Sequence, residues 1–181
     1  MTYGIMPHSA PEAMLPHRFR VERPCQRWTP NRRGQLYQEL GDTREEGVAL
    51  SLRGDILVQQ GDLAGAQTNY QRVLQIMQQV GDTRGEGVAL YQLALLAQVQ
   101  GDFDRAEMWL RESLAIAIEV HAVQDAADSY AYLGEFLVTR RNHPADGCPM
   151  LAEAARLYDA MGVPGGDEVR ATMRRLGCAE A

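Results

Sequence analysis

Apolar side chains recur at helical spacing in short successive runs from about residue 43 onward, and each run stops at a polar, glycine-bearing step. Leu50, Ile56 and Leu57 mark one run; Leu90, Leu93 and Ala97 mark its counterpart. A second kind of run carries Ala66, Tyr70, Val73, Leu74 and Ile76, then Ala106, Leu110, Ser113, Leu114 and Ile116. The pattern predicts helices in pairs. Gly61 and Gly101 suit the left-handed residue that ends a helix, and Asp62 and Asp102 suit the cap of the helix that follows. Thr43 with Glu46, and Thr83 with Glu86, read as T-x-x-E capping boxes that satisfy orphan amides at a helix start.

The runs are copies. The stretch from Gly41 to Leu50 returns almost unchanged from Gly81 to Leu90, and Gly61-Asp62 returns as Gly101-Asp102, a period of 40 residues. A third, weaker copy starts near His121, with Ala127, Tyr130, Leu133 and Gly134 in the matching places. It has Arg141-Asn142 where Gly-Asp is expected. One extra residue is needed before Leu151, Ala154 and Leu157 fall into phase. Pro144 and Pro149 lie there, so the last hairpin's second helix is predicted to begin near Pro149 after a longer turn. A lone hairpin cannot bury both apolar faces, whereas a stack closes its own core.

These residues resemble the tetratricopeptide repeat. That family has a small residue in the first helix, here Gly54, Ala94 and Gly134, and a large one four positions earlier, here Leu50, Leu90 and Tyr130. It has a small residue after the hairpin turn, here Ala66 and Ala106. Arg53 departs from it by standing where an apolar residue is expected. The period of 40 exceeds the family's usual 34 and resembles a variant found in bacterial signalling ATPases, regulators and scaffold proteins. The resemblance implies an all-α, right-handed solenoid of antiparallel helix hairpins. Its units fall at 42–80, 81–120 and a divergent 121–162.

The flanks read differently. Pro7, Pro11, Pro16, Pro24 and Pro30 leave no apolar period over residues 1–30, which read as an extended or disordered leader. Residues 31–41 match the end of a second helix, with Leu36 aligned to Ile76 and Ile116, so the array opens on half a hairpin. That half-unit suggests a fragment of a larger regulator and a route to self-association through exposed Leu36. Gly165 and Gly166 read as a break before a capping helix over 166–177. Val169, Met173 and Leu176 form its apolar stripe and Arg170, Arg174 and Arg175 its outer face.

Composition narrows the function. All 18 basic residues are arginine, which excludes lysine chemistry such as a Schiff base or a P-loop. Residues 1–33 carry six arginines against Glu12 and Glu22, net +4; the remainder carries 12 arginines against 22 acids, net −10. So acidic a body is a poor surface for nucleic acid. No apolar run is long enough to span a membrane, and Met1 to Pro16 does not read as a secretory signal. Cys25, Cys148 and Cys178 are odd in number and far apart, which argues against a disulfide framework and suits a reducing, cytoplasmic setting.

No catalytic constellation emerges, and the chain reads as a non-enzyme without cofactor or metal. Of His8, His17, His121 and His143, two lie in the leader and two at inter-helix loops; His143 with Asp146 and Cys148 offers metal-ligand types, but without a recognised ligand spacing, and reads as a surface turn. The series Asp42, Asp62, Asp82 and Asp102 is explained by loops and caps.

Binding is what the resemblance implies, in a groove lined by the first helices. Carried over by position, that groove takes Val48, Ser51, Asp55, Val58 and Gln59, then Val88, Tyr91, Leu95, Gln98 and Val99. The third unit adds Asp128, Ala131, Glu135, Val138 and Thr139. Half the weight on the valines and leucines belongs to ordinary packing between helices. None of these is Lys, Arg or Asn, so a clamp on a partner's C-terminal carboxylate is not expected. Asp55, Asp128 and Glu135 favour a basic, partly apolar peptide, with Tyr91 and Leu95 at its centre. An adaptor module is the first reading, and a sensor for a small molecule or signal peptide the alternative. Residues 18–33 read first as an ordinary leader or a misjudged start; folding across the acidic groove is the second reading.

Overall fold

The computed structural model describes residues 43–179. The leader, the half-hairpin and their arginines therefore lie outside the described residues, as does Cys25. Among the described residues seven helices follow one another: α1 (Thr43–Gln60), α2 (Leu63–Val80), α3 (Thr83–Gln100), α4 (Phe103–Glu119), α5 (Val123–Thr139), α6 (Pro144–Met161) and α7 (Gly165–Leu176). Helices pack chiefly on their neighbours in sequence, with α5 also reaching α7, which makes an all-α helical-repeat solenoid. No described helix is long and apolar enough to cross a membrane.

The two-residue turns work as their sequence requires. Gly61, Gly81 and Gly101 take φ of 81°, 69° and 81°, a region where a side chain would be strained. The aspartate after each glycine caps the next helix: Asp62 accepts from the Gly65 amide at 2.9 Å, Asp82 from Gly85 at 3.0 Å and Asp102 from Arg105 at 3.2 Å. This corrects the capping-box reading. Thr83 is already inside α3, one residue too far along to cap it, and Glu86 instead accepts from Gln78 Nε2 at 3.0 Å. Thr43 is likewise a helical residue of α1.

The third unit departs where the sequence did. His121, at φ 55°, takes the left-handed place that glycine holds elsewhere, and Asn142 does the same at φ 57° in the longer turn between α5 and α6. The helix after that turn begins at Pro144, and Pro149 lies inside it, which corrects the start expected near Pro149. Close packing explains the earlier start. Gly147 must sit within α6 because its backbone meets that of Gly134 in α5, where a Cβ would stand 2.5 Å from the Gly134 carbonyl oxygen. Gly54 makes the same kind of approach to the ring of Tyr70.

The main core runs from Val58 and Tyr70 through α3 to Phe136, and every residue of α3 from Leu90 to Ala97 is buried. A second cluster joins Ala127, Leu151, Ala154 and Tyr158 to Val169 and Met173 of α7. Arg53 falls on the exposed side of α1, clear of this packing. Gly162 at φ 69° turns the chain before α7, and Gly165 and Gly166, read as a break, are α7's first residues. Cys148 and Cys178 form a disulfide across a separation of 30 residues, fastening the end of α7 to α6. The odd number and wide spacing of the cysteines argue against a disulfide framework, yet two of them pair. Thirty residues apart in sequence, the two cysteines become neighbours once α7 folds back on α6.

Candidate binding face and its pocket

Because α1, α3 and α5 are the first helices of successive hairpins, the fifteen expected groove residues sit at corresponding places on them, but they differ in exposure. Val48, Gln59, Val99 and Thr139 are exposed. Ser51, Asp55, Val88, Gln98, Asp128, Ala131, Glu135 and Val138 are half-buried, and Val58, Tyr91 and Leu95 are buried. Leu95, expected beside Tyr91 at the centre of a bound peptide, has 1% of its surface accessible and belongs to the core; Val58 joins it there. The reason is that α3 is enclosed by α2 and α4 as well as by α1 and α5.

Polar residues on this face are held in place by hydrogen bonds. Gln92, fully buried in α3, donates to Ser51 Oγ at 2.6 Å and Asp55 Oδ1 at 3.3 Å, while the Tyr70 hydroxyl donates to the same Asp55 oxygen at 2.7 Å. The side-chain oxygen of Gln92, Oε1, is buried without a hydrogen-bond partner among the described residues. Gln92 was not foreseen as part of the site; its only signal is one amide within an otherwise apolar run.

A shallow, open pocket lies between α3 and α5, with α4 as its floor. It gathers three of the expected residues, Val88, Tyr91 and Asp128, and leaves the others along the face. Four lining residues come from the α4 side, Ser113, Ile116, Ala117 and Val120, and escape the sequence reading because the groove positions of the repeat lie on first helices. Gly87 admits this floor: a Cβ there would stand 2.8 Å from Ile116 Cγ2. Ser113 and Ser129 bring buried hydroxyls within 3.4 Å of each other, facing one another rather than a histidine.

Charge enters at the rim. Arg84 holds Asp125 with two hydrogen bonds, Nε to Oδ2 at 2.7 Å and Nη2 to Oδ1 at 3.2 Å, which raises its guanidinium above the ordinary pKa. Asp128 accepts from Gln124 Nε2 at 3.2 Å and from the Tyr158 hydroxyl of α6. Burial, then that hydrogen bond, pushes the Tyr158 phenol above the usual tyrosine range, so it stays a donor at neutral pH. Tyr91 packs edge-on against Tyr132 with centroids 5.4 Å apart; burial, then Glu135, likewise raises the Tyr132 phenol. Glu135 is bound by Arg175 of α7 at 2.7 Å.

His143 Nδ1 stands 3.8 Å from Asp146 on an exposed turn, and Cys148 is engaged in its disulfide. Among the described residues no three metal-ligating side chains gather. The arrangement offers hydrogen bonds, an apolar wall and negative charge to something that binds.

Residues 45–119 match a family model described as Tetratricopeptide repeat. No curated protein matches the chain. The match ends with α4, so the α5 wall of the pocket lies beyond it.

Proposed function

Residues 45–119 are tetratricopeptide repeats, and from that premise we propose that the chain is a binding module whose α1, α3 and α5 face holds a peptide segment of a partner protein. Repeats of this family generally mediate contacts between proteins. The observation that carries the reading is the pocket at Val88, Tyr91 and Asp128, flanked by exposed Val48 and Val99 on the same set of helices. Apolar contact supplies area and the carboxylates supply preference, so the partner segment is basic and partly apolar. The role is that of an adaptor.

A sensor for a small molecule or signal peptide is the second reading, since the pocket sets an apolar wall at Val88 and Ile116 beside the carboxylates of Asp125 and Asp128. Its openness and its charged rim support a peptide over an enclosed ligand. As to working place, the Cys148–Cys178 bond favours an oxidising compartment over the reducing cytoplasm that the cysteine count suggested.

Amide hydrogen exchange on the chain alone and with a captured partner tests the proposal. Protection on α1, α3 and α5 and on the α4 floor is expected. Protection confined to α2 or α6 would reject this face.

A further inference from the structure

The pocket differs from its surroundings in how its carboxylates are satisfied. Asp125 already holds a guanidinium from the chain itself, Arg84, whose side chain is 65% exposed. Such a pair is weakly held in water. Asp128 lies three residues on, on the same face of α5. Its hydrogen bonds come from neutral donors, Gln124 and the Tyr158 hydroxyl, and no cation pairs with it among the described residues. It is half-buried, so water screens its charge incompletely. Below it, Val88 and Ile116 offer an apolar wall of the kind a methylene stem covers.

Resting on the peptide-binding reading above, we propose that this pocket is a socket for one arginine side chain of the partner. Its guanidinium sits between Asp128 and Asp125 and its stem lies on Val88 and Ile116. Arg84 is the internal occupant that gives up Asp125 when the partner's arginine arrives. Charge complementarity selects the occupant: two carboxylates against one arginine leave the pocket at net −1. Arginine fits better than lysine, because its planar fork can reach two carboxylates and it sheds water more readily beside apolar walls.

The test uses the full chain and two short probes, acetyl-Leu-Arg-Leu-amide and its analogue with citrulline in place of arginine. Citrulline keeps the shape and removes the charge. Titrations followed by NMR should show the arginine probe shifting the amides of Val88 and Ser129, with the citrulline probe about tenfold weaker or more. Asp128→Asn, which keeps an acceptor for the Tyr158 hydroxyl, should weaken the arginine probe about tenfold. Arg84→Ala should tighten it several-fold by vacating Asp125, a gain that damage to the fold cannot mimic. Equal binding of the two probes along α1, α3 and α5 would overturn the socket and leave the peptide-binding reading standing. No shift with either probe, no effect of Asp128→Asn, or weaker binding by Arg84→Ala would each overturn the socket too.

Discussion

Gly134 of α5 and Gly147 of α6 meet backbone on backbone: a Cβ added to Gly134 would stand 2.8 Å from the Gly147 carbonyl oxygen and 3.0 Å from the Leu151 amide nitrogen. Neither neighbour is the end of a flexible side chain that can swing aside. Gly134→Ala should therefore destabilise the chain by about 1–3 kcal/mol, overriding alanine's better helix propensity. A thermal melt lowered by several degrees is the expected readout; an unchanged or raised Tm would mean the two helices are farther apart.

The caps make a second prediction. Asp82 holds the start of α3 through the Gly85 amide and also pairs with Arg44 at 3.0 Å, whereas Thr83 lies within the helix. Asp82→Ala should cost about 1 kcal/mol in urea denaturation, and Thr83→Ala a few tenths. The reverse order would restore the capping box.

Cys148 and Cys178 close a loop of 30 residues around α6 and α7. Losing such a link typically costs about 2–4 kcal/mol. Reductant, or Cys148→Ser, should lower the melting temperature and loosen α7 first, seen as faster amide exchange at Val169 and Met173. A linked peptide pair in non-reducing mass spectrometry should confirm the bond in the untreated chain.

Glu107 supplies a pH dependence. Burial opposes its ionisation, but hydrogen bonds from Arg141 at 2.8 Å and Arg111 at 2.9 Å win and hold its carboxyl below the ordinary 4.5. A carboxylate whose folded pKa is depressed stabilises the fold fully above its unfolded pKa and stops doing so as pH falls through the folded value. The stability advantage of the native chain over Glu107→Gln should thus be level at neutral pH and shrink below about pH 4.5. An advantage that grows on acidification would contradict the assignment.

Much of the fold was legible because its signals are local. Gly61-Asp62 and Gly101-Asp102 prescribe a turn and a cap within a few residues, and the 40-residue copies repeat that prescription. What escaped depends on contacts distant in sequence. Pro149 carries the local signal of a helix start, whereas Gly147 needs a helical place against Gly134, a contact that residues near Pro149 do not announce. Leu95 occupies a groove position by repeat but loses its surface because helices pack around α3 on every side. The α4 floor of the pocket is visible only once α3 and α5 stand beside it, and the cysteine pair only once α7 folds back.

The most direct test of the binding face compares exposed valines on the first helices with exposed apolar residues on a second helix. Val48 and Val99 retain 47% and 40% of their surface, and Met108 and Ile118 of α4 retain 52% and 49%. A partner captured from the native cell is purified, and its affinity is measured for the chain, for Val48→Asp with Val99→Asp, and for Met108→Asp with Ile118→Asp. At least tenfold weaker binding is expected for the valine pair and near-native binding for the α4 pair. Loss with the α4 pair and none with the valine pair would rule this face out.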